Sequence, residues 1–291
     1  MNWPKELKVR VNYPLKNKTT FRIGGPAQFF SEPKDIPELK LLLELSRKKK
    51  LPVYILGAGS NLLISDKGVR GLVIQLGALR FKDIARENGF IRAGSAVLLG
   101  RLIRFAQGES LQGLEFLAGI PGTLGGALAM NAGCWGHNIG DLVKEAQVLG
   151  KDGRLRTLSA KQIRFAYRKS SLADYIILSA RLKAKKGSQA GIKKNINKYL
   201  TARRLTQDLT WPNAGCIFKN PRNKSAGSLI DLCGLKGRNI GGAFISQRHA
   251  NFILNKKKAS SGDVLRLMRL IKKQVSNKFN LILHPEIKIW P

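Results

Sequence analysis

The sequence contains a glycine-rich stretch, GIPGTLGGALAMNAG at residues 119–133, and a shorter one, GAGSNL, at residues 57–62. Glycines let a backbone approach a ligand or another segment closely, and successive N–H groups in such turns can cradle phosphate oxygens. Thr123 stands where a helix N-cap is expected. Taken alone, residues 57–62 are as compatible with a tight structural turn as with a phosphate cradle, and residues 119–133 are as compatible with close helix packing as with a helix start that lies against a ligand. Two in one chain fit a large dinucleotide-like cofactor.

The shorter stretch follows an apolar run, residues 53–56, that predicts a buried strand. The Ser60 hydroxyl and the Asn61 amide would add hydrogen-bond donors to its backbone. The pattern is neither a dinucleotide-fold GxGxxG nor a Walker A loop, which would end in Lys and Ser or Thr. It therefore indicates a phosphate cradle of another kind, or a turn.

Around these stretches the periodicity alternates between helix and strand, which predicts an α+β fold. We predict helices over 36–45, 98–105 and after Ser159 toward Tyr167, a basic helix through Arg204, and a final helix capped by Ser261. We predict strands over 52–57, 72–76, 175–182 and 281–290, and a hairpin over 147–158 that turns at 151–153. Charge and glycine replace apolar periodicity at 183–194, so we predict domains of residues 13–186 and 187–291.

The net charge of +34 is the outlier of the composition. Such a charge would ordinarily suggest nucleic acid or an anionic membrane, but the basic residues are spread in short runs without a tail or aromatic interleaving. We therefore expect a solvated basic surface, no nucleic-acid partner, and a field that favours a polyanionic substrate. The start of the chain resembles no signal peptide and no stretch predicts membrane insertion, so we expect a soluble, cytoplasmic protein.

Three cysteines without a CxxC pair or histidines at metal spacing predict neither a disulfide framework nor a metal site. One of them, Cys216, lies before a lysine and an asparagine and could donate a proton beside anion-binding groups, or could be a buried small residue. Arg168 has little weight from position alone. Glu286 stands in an apolar stretch and could be an ordinary ion-pair partner.

Eight strings in order over nearly the whole chain resemble the UDP-N-acetylenolpyruvoylglucosamine reductase family, known as the MurB family. They are TTFRIGG (19–25), GAGSNLL (57–63), GLEFLAGIPGTLGGALAMNAG (113–133), FAYRKSS (165–171), AGCIFKNP (214–221), SAGSLID (225–231), HANFILN (249–255) and LHPEI (283–287). Each string is weak alone, and their order makes the resemblance specific.

The resemblance implies a two-part FAD-binding unit of the vanillyl-alcohol-oxidase (PCMH) type, with lobes at 13–77 and 78–186, followed by a substrate domain at 187–291. It implies that FAD is held by Gly57, Ala58, Gly59, Ser60, Asn61, Leu62, Gly119, Ile120, Gly122 and Thr123. NADPH would reduce the flavin, and hydride would then pass to the enolpyruvyl double bond of the UDP-sugar. The product would be UDP-N-acetylmuramate, a peptidoglycan precursor.

The resemblance also implies roles for side chains. Arg168 and Glu286 match positions that stabilise the enediolate intermediate, and Cys216 stands where many members have a serine as proton donor. A thiol, with an ordinary pKa of about 8.5, is the better acid of the two. Substrate contacts are expected from Lys219, Asn220, His249 and Asn251. The short interval after Arg168 indicates the branch without the extra substrate loop.

Two alternatives stay open at this point. Another FAD-dependent oxidoreductase of the same superfamily would explain the first domain but would leave AGCIFKNP, HANFILN and Glu286 without roles. A basic nucleic-acid-binding protein would explain the charge, and it would bind DNA with a steep salt dependence and hold no flavin.

Overall fold

The fold is that of a computed structural model, which describes residues 3–221 and 224–291. The α-helices of these residues are α1 (Ile36–Lys48), α2 (Leu99–Gly108), α3 (Leu124–Ala129), α4 (Gln189–Thr206), α5 (Ala226–Leu232) and α6 (Ser261–Phe279). The strands up to residue 112 are β1 (Arg10–Pro14), β2 (Pro26–Ser31), β3 (Val53–Leu56), β4 (Leu62–Ile64), β5 (Val69–Gln75), β6 (Ile84–Glu87), β7 (Phe90–Gly94) and β8 (Leu111–Gln112). Helices and strands are mixed along the chain, as the predicted α+β class requires.

The later strands complete the set. They are β9 (Gly133–Cys134), β10 (His137–Asn138), β11 (Val143–Leu149), β12 (Leu155–Ser159), β13 (Phe165–Ala166), β14 (Lys169–Ser170), β15 (Ile176–Lys183), β16 (Lys185–Lys186), β17 (Asn213–Cys216), β18 (Asn239–Ile240), β19 (Ala243–Ile245), β20 (Phe252–Asn255) and β21 (Lys288–Trp290). Short 3-10 turns lie between many of these elements.

The chain divides into two compact units. The first unit comprises Met1–Arg10, Phe30–Ala58 and Gly71–Arg203, and the second comprises Val11–Phe29, Gly59–Arg70 and Arg204–Pro291. This division follows contacts between residues, so two early segments join the C-terminal part of the chain. The assignment of functional domains at 13–186 and 187–291 stays a prediction.

A five-stranded antiparallel sheet in the order β12-β11-β15-β7-β6 forms the centre of the first unit. Helix α2 contributes to its core through Leu99, Leu102, Ile103 and Ala106, which lie on one helical face and are all buried. Helix α3 adds Leu124 and Leu128 to the same core. The core thus packs directly under the longer glycine stretch.

Several predicted elements of the first unit are confirmed. Helix α1 begins after Asp35, whose carboxylate accepts a hydrogen bond from the Glu38 amide at 2.9 Å. The predicted strands at 52–57 and 72–76 pair in parallel as β3 and β5. The predicted hairpin is β11 and β12, which are antiparallel and joined by a turn that contains Gly153 at φ 79°.

The second unit is built on the antiparallel sheet β17-β20-β19-β18, with α5 and α6 in the same core. Helix α6 buries Val264, Leu267, Met268, Ile271 and Val275, the helical face that the sequence predicts. Strand β21 pairs in parallel with β4, so the C-terminus of the chain joins the segment that follows the shorter glycine stretch.

The start of α6 differs from the prediction by one residue. The N-cap is Ser260, whose hydroxyl accepts a hydrogen bond from the Asp263 amide at 3.0 Å, while the Asp263 carboxylate accepts one from the Ser260 amide. Ser261 is the first helical residue, and its hydroxyl instead donates to Asp66 at 2.7 Å. The sequence offers two adjacent serines, and the long-range contact with Asp66 is not visible in a local pattern.

Two other elements are shorter than predicted. After Ser159 the chain makes one 3-10 turn, Ala160–Gln162, and then the small hairpin β13–β14, where a helix toward Tyr167 was expected. Of the predicted terminal strand over 281–290, only β21 is regular. Pro285 breaks the ladder because it has no N–H to donate, and only an isolated bridge to Phe218 forms there.

None of the α-helices formed by residues 3–221 and 224–291 has the length and apolar character that crossing a membrane requires. All three cysteines are free thiols and each is partly exposed.

Candidate active site

The two glycine stretches meet inside the first unit. A Cβ atom added to Gly57 would lie 2.9 Å from the Thr123 hydroxyl oxygen, so only glycine fits at this approach. The Gln75 side chain fixes the same point by donating to the Gly57 carbonyl at 2.9 Å. Thr123 caps α3 by accepting from the Gly126 amide at 3.3 Å, which confirms the predicted N-cap.

The segment that precedes Thr123 is held by an arginine that sequence reasoning missed. Arg203, near the end of α4, is buried and donates to the Ala118 carbonyl at 2.8 Å and to the Cys134 sulfur at 3.2 Å. A Cβ atom on Gly119, which has φ 76°, would lie 2.7 Å from the Arg203 side chain. Arg203 lies in a basic run with no local motif, so the sequence carries no signal for this contact.

The rest of the shorter glycine stretch, residues 59–62, lies in the second unit. Gly59 has φ 63°, and a Cβ atom there would lie 2.2 Å from the Lys18 carbonyl oxygen. The side-chain Nδ2 of Asn61 donates to the backbone carbonyl of Glu286 at 3.2 Å, and the backbone carbonyl of Asn61 accepts from the Lys288 amide at 2.9 Å. Asn61 therefore links this stretch to the segment that carries Glu286.

The structure brings the segments of Cys216 and Glu286 together. Cys216 ends β17, and the next residue, Ile217, accepts a hydrogen bond at its carbonyl from the Glu286 amide at 2.8 Å. The Lys219 amide donates to the His284 carbonyl at 2.9 Å in the same ladder. Both predicted groups are partly exposed and accessible to a ligand.

Asn251 is 2% exposed and its side chain is fully engaged with the backbone of Phe218. Its Nδ2 donates to the Phe218 carbonyl at 2.8 Å and its Oδ1 accepts from the Phe218 amide at 2.9 Å. These two bonds clamp the chain between Cys216 and Lys219. Asn251 thus positions that segment. The substrate contact expected of Asn251 from the sequence stays a prediction.

His249 adjoins this clamp. Its Nδ1 accepts a hydrogen bond from the Asn251 amide at 3.3 Å, and its ring centroid lies 4.6 Å from that of Phe252. Burial, helped by the charge of Lys236, lowers the pKa of His249 below its ordinary value of 6.5. The imidazole is therefore neutral at pH 7, and it can contact a ligand as a neutral donor or acceptor.

Asn220 lies on the exposed side of the same segment. Its Oδ1 accepts from the Ala226 amide at 3.0 Å, which connects it to the start of α5.

Arg168 belongs to the first unit, in the two-residue turn between β13 and β14. Its backbone has φ 54°, a conformation that costs a non-glycine residue about 1–3 kcal/mol. Its Nη1 donates to the Gly133 carbonyl at 2.9 Å, and its guanidinium carbon lies 5.2 Å from the centre of the Tyr167 ring. The guanidinium is thus held in place while the side chain stays partly exposed.

Taken separately, each glycine stretch has a backbone suited to holding a phosphate group. Gly57 and Gly59 are closely packed on their inner sides, and the positive φ of Gly59, Gly119 and Gly122 turns the backbone in ways open mainly to glycine. Ser60 and Asn61 remain partly exposed beside them. Backbone N–H groups in glycine turns can donate hydrogen bonds to the oxygens of phosphate groups.

Two family models match successive parts of the chain. Residues 27–159 match the family described as FAD binding domain. Residues 207–290 match the family described as UDP-N-acetylenolpyruvoylglucosamine reductase, C-terminal domain. The first match includes both glycine stretches, and the second includes Cys216, His249 and Glu286.

Curated relatives match over nearly the whole chain. A UDP-N-acetylenolpyruvoylglucosamine reductase of Symbiobacterium thermophilum is 43% identical over 285 residues, which is 97% of this chain and 92% of the relative. That of Moorella thermoacetica is 42% identical over 98% of this chain and 94% of the relative. The crystal structure of the Thermus caldophilus reductase superimposes with a TM-score of 0.83 at 36% identity, covering 97% of this chain and 98% of that one.

Proposed function

This chain belongs to the UDP-N-acetylenolpyruvoylglucosamine reductase (MurB) family, and from that premise we propose how its residues carry out the reaction. It is an FAD-containing oxidoreductase that reduces the enolpyruvyl UDP-sugar to UDP-N-acetylmuramate in peptidoglycan synthesis. NADPH is the reductant expected for the family. We assign residues 13–186 to cofactor binding and 187–291 to substrate binding.

Residues of the two glycine stretches would hold the cofactor. Gly57, Ala58, Gly59, Ser60, Asn61 and Leu62 would bind its diphosphate, and Gly119, Ile120, Gly122 and Thr123 would line the remainder. The close approach of Gly57 to Thr123 supports this assignment because it brings one residue of each stretch together within the first unit. Bound FAD would supply hydride, taken from NADPH, to the enolpyruvyl double bond.

Arg168 would stabilise the negative charge that develops on the substrate. Addition of hydride to a vinyl ether is favourable only if the electrons can flow into the adjoining carboxylate, which becomes an enediolate. A fixed guanidinium near those oxygens would lower the energy of that charge without reorganising. The bond to Gly133 supports this role, because it holds the Arg168 head group.

Glu286 and Cys216 would complete the reaction. Glu286 would assist the same enediolate, as a carboxyl group that shares a proton with it. The Cys216 thiol would then deliver a proton to the adjacent carbon as a general acid. The ladder between Ile217 and Glu286 supports the pairing because it sets the two segments side by side.

Substrate contacts outside the reacting carbons would come from Lys219, Asn220 and His249. For Asn251 we propose a supporting role, in which its clamp on Phe218 holds Cys216 and Lys219 in register. The positive surface would attract the UDP diphosphate, and no nucleic-acid partner is needed to explain it. We place the reaction in the cytoplasm, where UDP-sugars and NADPH are found.

The proposal rests mainly on hydrogen bonds within the second unit. The Glu286 amide donates to the carbonyl of Ile217, the residue after Cys216, and the Glu286 carbonyl accepts from the Asn61 side chain. The test of the proposal is Glu286→Gln in an anaerobic two-step assay. NADPH should bleach the bound flavin at the normal rate, and reoxidation by the enolpyruvyl UDP-sugar should slow by roughly 10²-fold or more. Glu44→Gln, on the exposed face of α1, is the control. Unchanged reoxidation in Glu286→Gln would reject the role of the carboxyl.

A further inference from the structure

The turn that presents Arg168 cannot hold its shape by local preference. Both strands of the hairpin are two residues long, and Arg168 takes a positive φ that disfavours any residue with a side chain. An isolated hairpin of this size is not stable in water. The position of the guanidinium therefore depends on contacts from elsewhere in the first unit.

Asn131 supplies such a contact. It lies just beyond α3, is 5% exposed, and donates from its Nδ2 to the Ala166 carbonyl at 3.1 Å. In the opposite direction, Arg168 donates to the carbonyl of Gly133 at 2.9 Å. Segments 131–133 and 166–168 are thus held together by two bonds of opposite polarity.

The other end of the Asn131 amide is equally fixed. Its Oδ1 accepts from the Gly140 amide at 3.0 Å, and a Cβ atom on Gly140 would lie 2.8 Å from that oxygen and 2.6 Å from the Phe165 ring. Asn131 itself has φ 44°, which asparagine tolerates better than most residues. Both ends of the Asn131 amide are therefore hydrogen-bonded, and the Gly140 backbone lies close to both the amide and the Phe165 ring.

Because Thr123 caps the start of α3 and Asn131 lies two residues past its end, the amide ties the Arg168 hairpin to the helix capped beside Gly57. We infer that Asn131 is a positioning residue that fixes the Arg168 guanidinium relative to α3, and so to the bound substrate. The inference rests on the proposed function, since it assigns Asn131 a role through Arg168.

The test compares Asn131→Gly, which keeps the positive φ but removes the amide, with Asn131→Asp, which keeps the acceptor and loses the donor. Asn88→Gly is the matched control, because Asn88 has φ 46° in the exposed β6–β7 turn. In the anaerobic assay, Asn131→Gly should slow reoxidation by the enolpyruvyl UDP-sugar about tenfold or more, since small displacements of catalytic groups are costly. The reoxidation rate of Asn131→Asp should lie between those of Asn131→Gly and the unmodified chain. Flavin reduction by NADPH should be unchanged in all three variants.

Two further measurements separate the possible failures. In an Arg168→Ala background, Asn131→Gly should add nothing, because both changes remove one interaction. Amide hydrogen exchange over 164–171 should accelerate in Asn131→Gly and not in Asn88→Gly. If Arg168→Ala slows reoxidation but Asn131→Gly does not, the inference is overturned and the proposed function stands. If Arg168→Ala has no effect, the proposed role of Arg168 fails, and unchanged exchange would also overturn the positioning by Asn131.

Discussion

The proposed role of Cys216 as proton donor can be tested by replacing its sulfur atom with oxygen or by removing it. Its thiol is partly exposed at the end of β17, next to the ladder with the Glu286 segment. We expect Cys216→Ser to retain turnover, because a hydroxyl can donate the proton, and Cys216→Ala to lose about 10²–10⁴-fold. Stopped-flow traces should show normal flavin reduction by NADPH in both variants.

Cys233→Ala is the control for this pair, because that thiol follows α5 and has no role in the proposal. Full turnover by Cys216→Ala would remove the thiol from the mechanism and leave water or another side chain as the acid.

At the scale of residues, the sequence predicts positions that carry a motif and misses those that act through packing. Thr123 was predicted as a cap because the pattern around an N-cap is local. Arg203 and Asn131 were missed because their partners, Ala118 and Ala166, are 85 and 35 residues away. The bonds of Asn251 to Phe218 likewise have no local signal, because the two residues lie 33 positions apart.

The hydrogen bonds of Asp263 at the start of helix α6 predict that the stability of the fold depends on pH. Burial tends to raise the pKa of Asp263, but hydrogen bonds from Ser260, Gly242 and Arg266 together lower it below 3.8. A carboxyl with a lowered pKa stabilises the fold above its unfolded pKa of about 4, and the stabilisation disappears as the pH falls through the folded value.

Asp263→Asn should therefore reduce the free energy of unfolding at pH 7, with the difference from the unmodified chain shrinking in acid. Urea unfolding at pH 7 and at a pH near 3 measures this difference in the free energy of unfolding. Asp174→Asn, at an exposed position outside α6, controls for the loss of one charge. A difference of equal size at both pH values would contradict the proposed protonation linkage.

The elements themselves were predictable where periodicity is sustained. Helices α1, α2 and α6 and the hairpin β11–β12 follow from apolar spacing and turn residues. The hairpin β13–β14 could not be predicted, because two-residue strands have no period to detect. The terminal stretch has the pattern of one strand in sequence, but Pro285 makes only an isolated bridge to Phe218, and only β21 pairs regularly, with β4.

At the scale of the molecule, the order of the eight strings predicted the family and the cofactor, which the comparisons confirm. The compact units could not be read from the sequence, since segments 11–29 and 59–70 join the C-terminal part by long-range contacts such as Asn61 with Glu286. Such contacts depend on the whole chain and leave no local pattern.

The central claim is that this chain passes hydride through bound FAD to an unsaturated acid with Arg168, Cys216 and Glu286 assisting. Its most direct measurement is anaerobic mixing of the NADPH-reduced protein with the enolpyruvyl UDP-sugar, followed at the flavin absorbance and by product analysis. The account predicts rapid return of the yellow colour with formation of one UDP-N-acetylmuramate per flavin. A protein that binds no FAD, or a reduced flavin that the sugar leaves unoxidised, would contradict it.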